Sequence, residues 1–272
     1  MTKYFKSAEF IKLKDATWLR RQEHAGKCVS NILRDCGDLI TSGSPSLSFK
    51  DLEKIALDQI KQCDCVPTFL NYEGFPSAIC VAANKQLVHG PVTDYVLQEG
   101  DVISIDLGAT FEGAIADAAR TWIYGEPKNK KHINLLKVGR EALAAGQNAV
   151  KIGSRLGAIG NAIYKIVTKN GFGVIQEYGG HGIDYYTPHA DPFVCNKQSP
   201  QSGVRIAAGM SIAIEPMLVL GEARATESTD GWTVCTPSIG CHFENSVTIM
   251  EDGVHIITEI PNEQAFVHNM EI

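Results

Sequence analysis

A mixed α/β fold of the α+β kind, with helices covering antiparallel strands, is predicted by three features of the sequence. Two stretches of helical periodicity precede a strand-like region, and the same order then occurs a second time. The segment Val102 to Thr121 reads as two alternating strands joined at Glu112-Gly113. Finally, Gly100-Asp101-Val102-Ile103-Ser104-Ile105-Asp106 is echoed by Gly209-Met210-Ser211-Ile212-Ala213-Ile214-Glu215, matching in the glycine, in both isoleucines and in the closing acid. This weak internal repeat predicts one pseudo-symmetric domain over residues 1–272, two helix-helix-strand halves facing each other.

In chain order, Asp15 to Ile40 carries Trp18, Leu19, Ala25, Val29, Ile32, Leu33, Cys36 and Leu39 at three-and-four spacing, the mark of an amphipathic helix. A Ser/Gly/Pro loop follows, and Ser48 with Asp51 three residues on forms a capping signal for a second helix through Leu52, Ile55, Ala56 and Ile60. The period fades from Thr68. The apolar run Ala78 to Ala83 then predicts a strand ending at Val88-His89-Gly90. After the aspartate hairpin come two more helices, Lys131 to Val150 and Ser154 to Asn170, with Ser154 as cap and Gly171 as stop. Gly153 to Gly160 lacks both the lysine and the preceding strand of a phosphate loop, so it reads as a helix start.

With 44% hydrophobic and 21% charged residues, the 272-residue chain has ordinary globular composition and can bury a sizeable core. A net charge of −6 without a basic stripe argues against nucleic acid as a direct partner. No apolar run reaches membrane-spanning or signal-peptide length, so no membrane partner is expected. The eight cysteines show neither C-x-x-C nor zinc-finger spacing and read as free thiols in a reducing cytoplasm.

Two acids inside apolar strands require a reason. Asp106 and Asp117 sum to an odd number, so across a two-residue turn they share one face, where a divalent cation would neutralise them. The repeat adds Glu215 from the other half. His181, set among Gly179, Gly180 and Gly182, has neighbours small enough for close backbone approach, and Glu244 lies beside the alternating strand Val247 to Ile249. Two aspartates, two glutamates and one histidine suit paired Mn, Fe, Co or Zn. His242 is near enough in sequence to support Glu244, while His24, His132, His255 and His268 read as structural.

Gly74-Phe75-Pro76 followed by Cys80 and His89-Gly90, the Asp106 and Asp117 hairpin, Gly180-His181-Gly182, Ile214-Glu215-Pro216-Met217, Asp230-Gly231-Trp232 and Glu244 together resemble the type I methionine aminopeptidase branch of the pita-bread metallopeptidases. The likeness runs from the first helix to Ile249. It implies a pita-bread fold, with pseudo-two-fold antiparallel sheets covered by helices. It also implies two divalent ions (Co, Mn, Fe or Zn) bridged by Asp117 and Glu244, with Asp106 chelating one and His181 and Glu215 completing the other.

By the same resemblance Glu215 takes a proton from the attacking water, His89 hydrogen-bonds the scissile amide nitrogen and His189 stabilises the oxyanion. Tyr72, Phe75, Cys80 and Trp232 would wall an S1 pocket. The implied activity is removal of N-terminal methionine from peptides and nascent proteins by a cytoplasmic monomer working near the ribosome. An X-Pro-specific relative shares the ligand set, but the expected lack of a large N-terminal domain and the place of Cys80 before His89-Gly90 argue against it. A non-catalytic binding module would have no need of all five ligands. The sequence departs from the family on one loop: seven residues instead of six separate His181 from His189, Pro188 stands where an aromatic residue is usual, and Asp184 stands where glycine is common.

Overall fold

Asp15 opens the first helix by accepting the backbone N–H groups of Thr17 and Trp18, each at 2.9 Å. In the computed structural model, which describes residues 11–260, this helix, α1, spans Ala16–Thr41. Most of the N-terminal lead and His268 lie outside the described residues. α1 buries Trp18, Ala25, Val29, Ile32, Leu33 and Cys36, the stripe that the spacing predicts. α2 (Phe49–Gln62) begins on the expected capping box between Ser48 and Asp51.

The strands of the first half are β1 (Val66–Pro67), β2 (Cys80–Ala83), β3 (Gln86–Val88), β4 (Val102–Phe111) and β5 (Ala114–Ile123). The run predicted as one strand from Ala78 to Val88 is two. Asn84 turns the chain at φ 60°, so β2 pairs with β4 while β3 leaves for another sheet. Between β4 and β5, Glu112 at φ 45° and Gly113 at φ 85° form the tight turn, both in the left-handed region that two-residue hairpins of the I′ type require. The resulting register sets Asp106 opposite Ala119 and Gly108 opposite Asp117. The two aspartates are therefore diagonal neighbours on one face. The other face, with Ile103, Ile105, Leu107 and Ala109, packs under α1 and α2.

The second half starts with α3 (Lys130–Asn148) and α4 (Gly157–Lys169). α4 begins three residues later than Ser154 suggests. The backbone there is engaged elsewhere: Ile206 donates to the Ser154 carbonyl and Leu156 to that of Val204, at 2.8 and 3.0 Å. Tertiary pairing overrides the local cap. The strands that follow are β6 (Gly173–Val174), β7 (Gly180–Asp184), β8 (Thr187–Val194), β9 (Ser211–Ile214), β10 (Met217–Val219), β11 (Thr226–Glu227), β12 (Val234–Cys235), β13 (Gly240–His242), β14 (Asn245–Met250) and β15 (Gly253–Ile256).

Five of these form one antiparallel sheet in the order β15-β14-β9-β7-β8, and α3 and α4 share its core with Ile212, Ile214, Val247 and Ile249. The sequence echo has a structural counterpart. Gly100 and Gly209 both adopt positive φ, 79° and 88°, and each donates its N–H to the neighbouring strand region, to Tyr124 at 2.8 Å and Ile249 at 2.7 Å. Strand β4 follows the first glycine and β9 the second.

The halves are stitched together where they meet. Ser246 Oγ donates to the Asp117 carbonyl and accepts the Asp117 N–H, both at 2.8 Å, and the Glu244 N–H donates to the Ala119 carbonyl at 2.9 Å. From α1, Gln22 donates to the Ile115 carbonyl on one side and to Ser211 Oγ on the other, each at 2.8 Å. Among the described residues no helix is long and apolar enough to cross a membrane.

Candidate metal centre

The seam between the halves is lined with acid. Asp106 comes from the centre of β4, Asp117 from β5, Glu215 from the end of β9 and Glu244 from the step between β13 and β14. Asp117 and Glu244 are each 2% exposed and Glu215 is 8% exposed. His181 enters from β7, whose glycines let the strand sit tight: a Cβ on Gly180 would lie 2.2 Å from the Ala213 carbonyl, and one on Gly182 would lie 2.0 Å from that of Asp191. Only glycine fits at either place.

The imidazole of His181 has a defined polarity. Its Nδ1 lies 3.1 Å from the Gly182 carbonyl, which can only accept, so Nδ1 carries the proton and Nε2 presents a lone pair. That lone pair faces Glu215 Oε1 at 3.7 Å, Glu244 Oε1 at 3.9 Å and Asp117 Oδ2 at 4.0 Å. Donor atoms that all hold lone pairs repel one another unless a cation lies between them. Asp106 Oδ1, Asp117 Oδ1 and Glu244 Oε1 are enclosed without any hydrogen-bond partner, a costly state for buried carboxylate oxygens. Ligand atoms of Asp106, Asp117 and Glu244 fall within 4.8 Å of one another, as do those of His181, Glu215 and Glu244, and of Asp117, His181 and His189. The hard, anionic, oxygen-rich donor set with one neutral imidazole fits divalent metal.

The electrostatics tell the same story. Burial and the charge of Asp117 and Glu215 push Asp106 well above the ordinary carboxylate range. Burial, with Asp117, Glu215 and Asp106 nearby, does the same to Glu244. Asp117 is raised to about 6, chiefly by burial. Glu215 differs: burial pushes it up, but the hydrogen bond and charge of His242, helped by His181 and His89, bring it below its usual value.

Around the acids lies a cavity of about 260 Å³ whose walls include Tyr72, Phe75, Cys80 and Trp232, with His89 and His189 at its edge. Phe75 and Trp232 meet edge to face at 5.2 Å between ring centroids. His89 sits at φ 59°, a left-handed conformation that turns its ring into the cleft. His189 stands at the mouth, 4.6 Å from the His181 ring centroid and flanked by Tyr72 and Phe69 at 5.5 and 6.5 Å. Those two rings, carried by the loop after β1, supply aromatic contact where Pro188 supplies none. Desolvation and the neighbouring His181 lower the His189 pKa to about 3, with the charge of Glu215 acting in the opposite direction. Asp184, on the same variant segment, is salt-bridged to Lys14 at 2.9 Å and Lys12 at 3.0 Å, tying the end of β7 to the lead into α1.

Several residues at the site are not anticipated by the sequence. Phe69, Glu73, Tyr178, Glu227 and Val234 also line the cavity. Tyr178 begins the glycine-rich run around His181 and was legible from that position, whereas Phe69, on the loop after β1, and Val234, in β12, are ordinary apolar residues that only the fold brings here. His242 is a correction. It hydrogen-bonds Glu215, at 3.0 Å, and not Glu244, because β13 pairs with β10 and sets His242 opposite Met217, two residues from Glu215, whereas Glu244 lies past the break between β13 and β14.

Comparison with known proteins bears on the fold and the family. The sequence profile of metallopeptidase family M24 matches residues 20–251. A methionine aminopeptidase of Mycoplasma capricolum is 38% identical over 251 residues, covering 92% of this chain and 98% of its own. The solved methionine aminopeptidase of Thermotoga maritima superposes with a TM-score of 0.87 at 36% identity, over 92% of this chain and all of that one (100%). A prolidase from Pyrococcus furiosus has the same fold, with a TM-score of 0.71 at 22% identity, over 91% of this chain and 65% of the prolidase.

Proposed function

The chain belongs to metallopeptidase family M24, and from that membership we propose that it is a metal-dependent aminopeptidase that removes the N-terminal methionine of peptides and nascent proteins. The observation that carries the chemistry is the ring of unpaired donors, three enclosed carboxylate oxygens without partners and a histidine lone pair directed at the acids. Tyr72, Phe75, Cys80 and Trp232 give one side of the cavity an apolar and aromatic wall facing the acids, and its volume of about 260 Å³ has room for an unbranched side chain.

In this reading Asp106, Asp117, His181, Glu215 and Glu244 would hold two ions of the Mn, Fe, Co or Zn class, with Asp117 and Glu244 serving both, Asp106 serving one, and His181 and Glu215 the other. When bound, such ions supply Lewis acidity and a hydrolytic nucleophile at neutral pH. The protein's own groups do the rest. Glu215 accepts the proton of the attacking water and delivers it to the departing nitrogen. His89 holds the scissile amide nitrogen, and His189 donates to the oxygen on which charge develops. A second cavity of about 370 Å³, lined by Glu177, Phe193 and Met217, meets the first at His89 and His181 and gives the remaining peptide a path outward. The enzyme would act as a cytoplasmic monomer on chains emerging near the ribosome.

Hydrolysis of Met-Ala-Ser against Xaa-Pro peptides, with and without added Mn or Co, tests the assignment. Metal-dependent release of methionine from the first is expected. Cleavage of the Xaa-Pro peptides alone would replace this reading with the prolidase one, and no turnover with metal demonstrably bound would remove both.

A further inference from the structure

Glu215 is asked to do two things with one carboxylate, to bind metal and to move a proton. The surroundings of its two oxygens are unequal. Oε1 is the atom turned to His181 Nε2, at 3.7 Å. Oε2 is 3.0 Å from His242 Nε2.

His242 is held rigidly. It is 1% exposed at the end of β13. Its backbone N–H donates to Thr121 Oγ1 at 2.9 Å, and that hydroxyl donates back to the His242 carbonyl at 2.8 Å. Ser104 Oγ lies 2.8 Å from the same hydroxyl, locking its direction. The His242 Nδ1 is enclosed and has no partner, so Nε2 makes the ring's one polar contact. Glu215 is pinned at its other end, where Asn196 Nδ2 donates to its carbonyl at 3.0 Å.

Given the metal-binding reading above, on which this rests, we infer that His242 is a positioning residue that keeps one oxygen of Glu215 off the metal. A carboxylate oxygen in a dry cleft with no donor beside it turns to the nearest cation. With Nε2–H of His242 engaged, Oε2 retains a lone pair for a proton, and Oε1 alone faces the metal position. Without His242 both oxygens would ligate, Glu215 would become a chelating ligand, and the group that takes the proton would be lost while the substrate pocket stayed intact.

Two variants test this. His242→Leu keeps the volume and removes the donor, and His242→Gln restores an N–H of similar reach. Co-loaded protein is examined by visible absorption, which weakens as cobalt gains ligands, alongside kcat and KM for a methionyl peptide. For His242→Leu the expected results are a weaker cobalt band, kcat lower by about 10- to 100-fold, the size found for partners of metal ligands, and KM changed by less than about twofold. His242→Gln should recover both the band and most of kcat. An unchanged band and kcat in His242→Leu would overturn the proposal, as would a His242→Gln protein that folds, binds cobalt and still shows the weak band. If His242→Leu fails to fold, as judged by its thermal melt, His242→Gln alone decides by the same two readouts. Failure of the wild-type protein itself to bind cobalt would instead overturn the underlying metal reading.

Discussion

At the scale of single residues, the site is defined by what its atoms lack. Glu244 Oε1 and Asp117 Oδ1 are enclosed and unpaired, so removing their charge removes the reason for a cation to be there. Glu244→Gln is expected to cost more than about 100-fold in metal affinity, beyond the effect of altering a ligand's partner, measurable by titration calorimetry; affinity within threefold of wild type would remove Glu244 from the ligand set. His189→Ala should lower kcat by about 100-fold, the effect of losing one oxyanion donor, without changing metal affinity. A drop in both would place His189 with Asp117 and His181 as a ligand, as their proximity permits. Asp106 and Asp117 were legible because charged residues within apolar strands violate the pattern around them, Glu215 through the internal repeat, and His181 through its glycine neighbours. His242 was legible only as a neighbour of Glu244. Its real partner is 27 positions away, a relation that no local pattern encodes.

At the scale of elements, local signals succeeded wherever a segment's own chemistry decides its shape. The capping box of α2, the three-and-four spacing of α1 and the parity of the β4–β5 hairpin are of that kind. They failed where a distant strand intervenes, as at the start of α4 and in the division between β2 and β3. The glycines of β7 make room for the neighbouring strands β8 and β9 and permit a sharp test. Gly182→Ala places a methyl 2.0 Å from the Asp191 carbonyl. The strand must shift, and stability should fall by about 1–3 kcal/mol, the usual cost of overpacking, with weaker metal binding because His181 moves with it. Equal unfolding midpoints in denaturant, with unchanged metal affinity, would mean that β7 tolerates the methyl group. Gly74, in contrast, has nothing within 4 Å of its would-be Cβ, so only its φ of 91° resists substitution there.

At the scale of the whole molecule, folding without metal forces three carboxyl groups together. Asp106, Asp117 and Glu244 have raised pKa values in the folded state, Asp117 to about 6 from an ordinary 3.8, with Glu215 alone shifted downward. A group whose folded pKa is raised binds more protons folded than unfolded, so folding weakens as pH climbs through that interval. Glu215 works in the opposite sense, at lower pH. Metal-stripped protein should therefore lose melting temperature between about pH 4.5 and 7.5, by more than about 5 °C, and Mn or Co should restore it at pH 7.5. A flat profile would show that the acids do not crowd one another. The same seam has a mechanical meaning. Because Ser246 grips Asp117 and Glu244 grips Ala119 across it, the lobes cannot swing apart around a client without breaking the very bonds that hold the acids in place. A polypeptide terminus must be threaded in, not clasped. Only a slack, extended end can make that entry, and the protein runs a race against its client's own folding: once those first residues are tucked into a finished structure, the opportunity has closed.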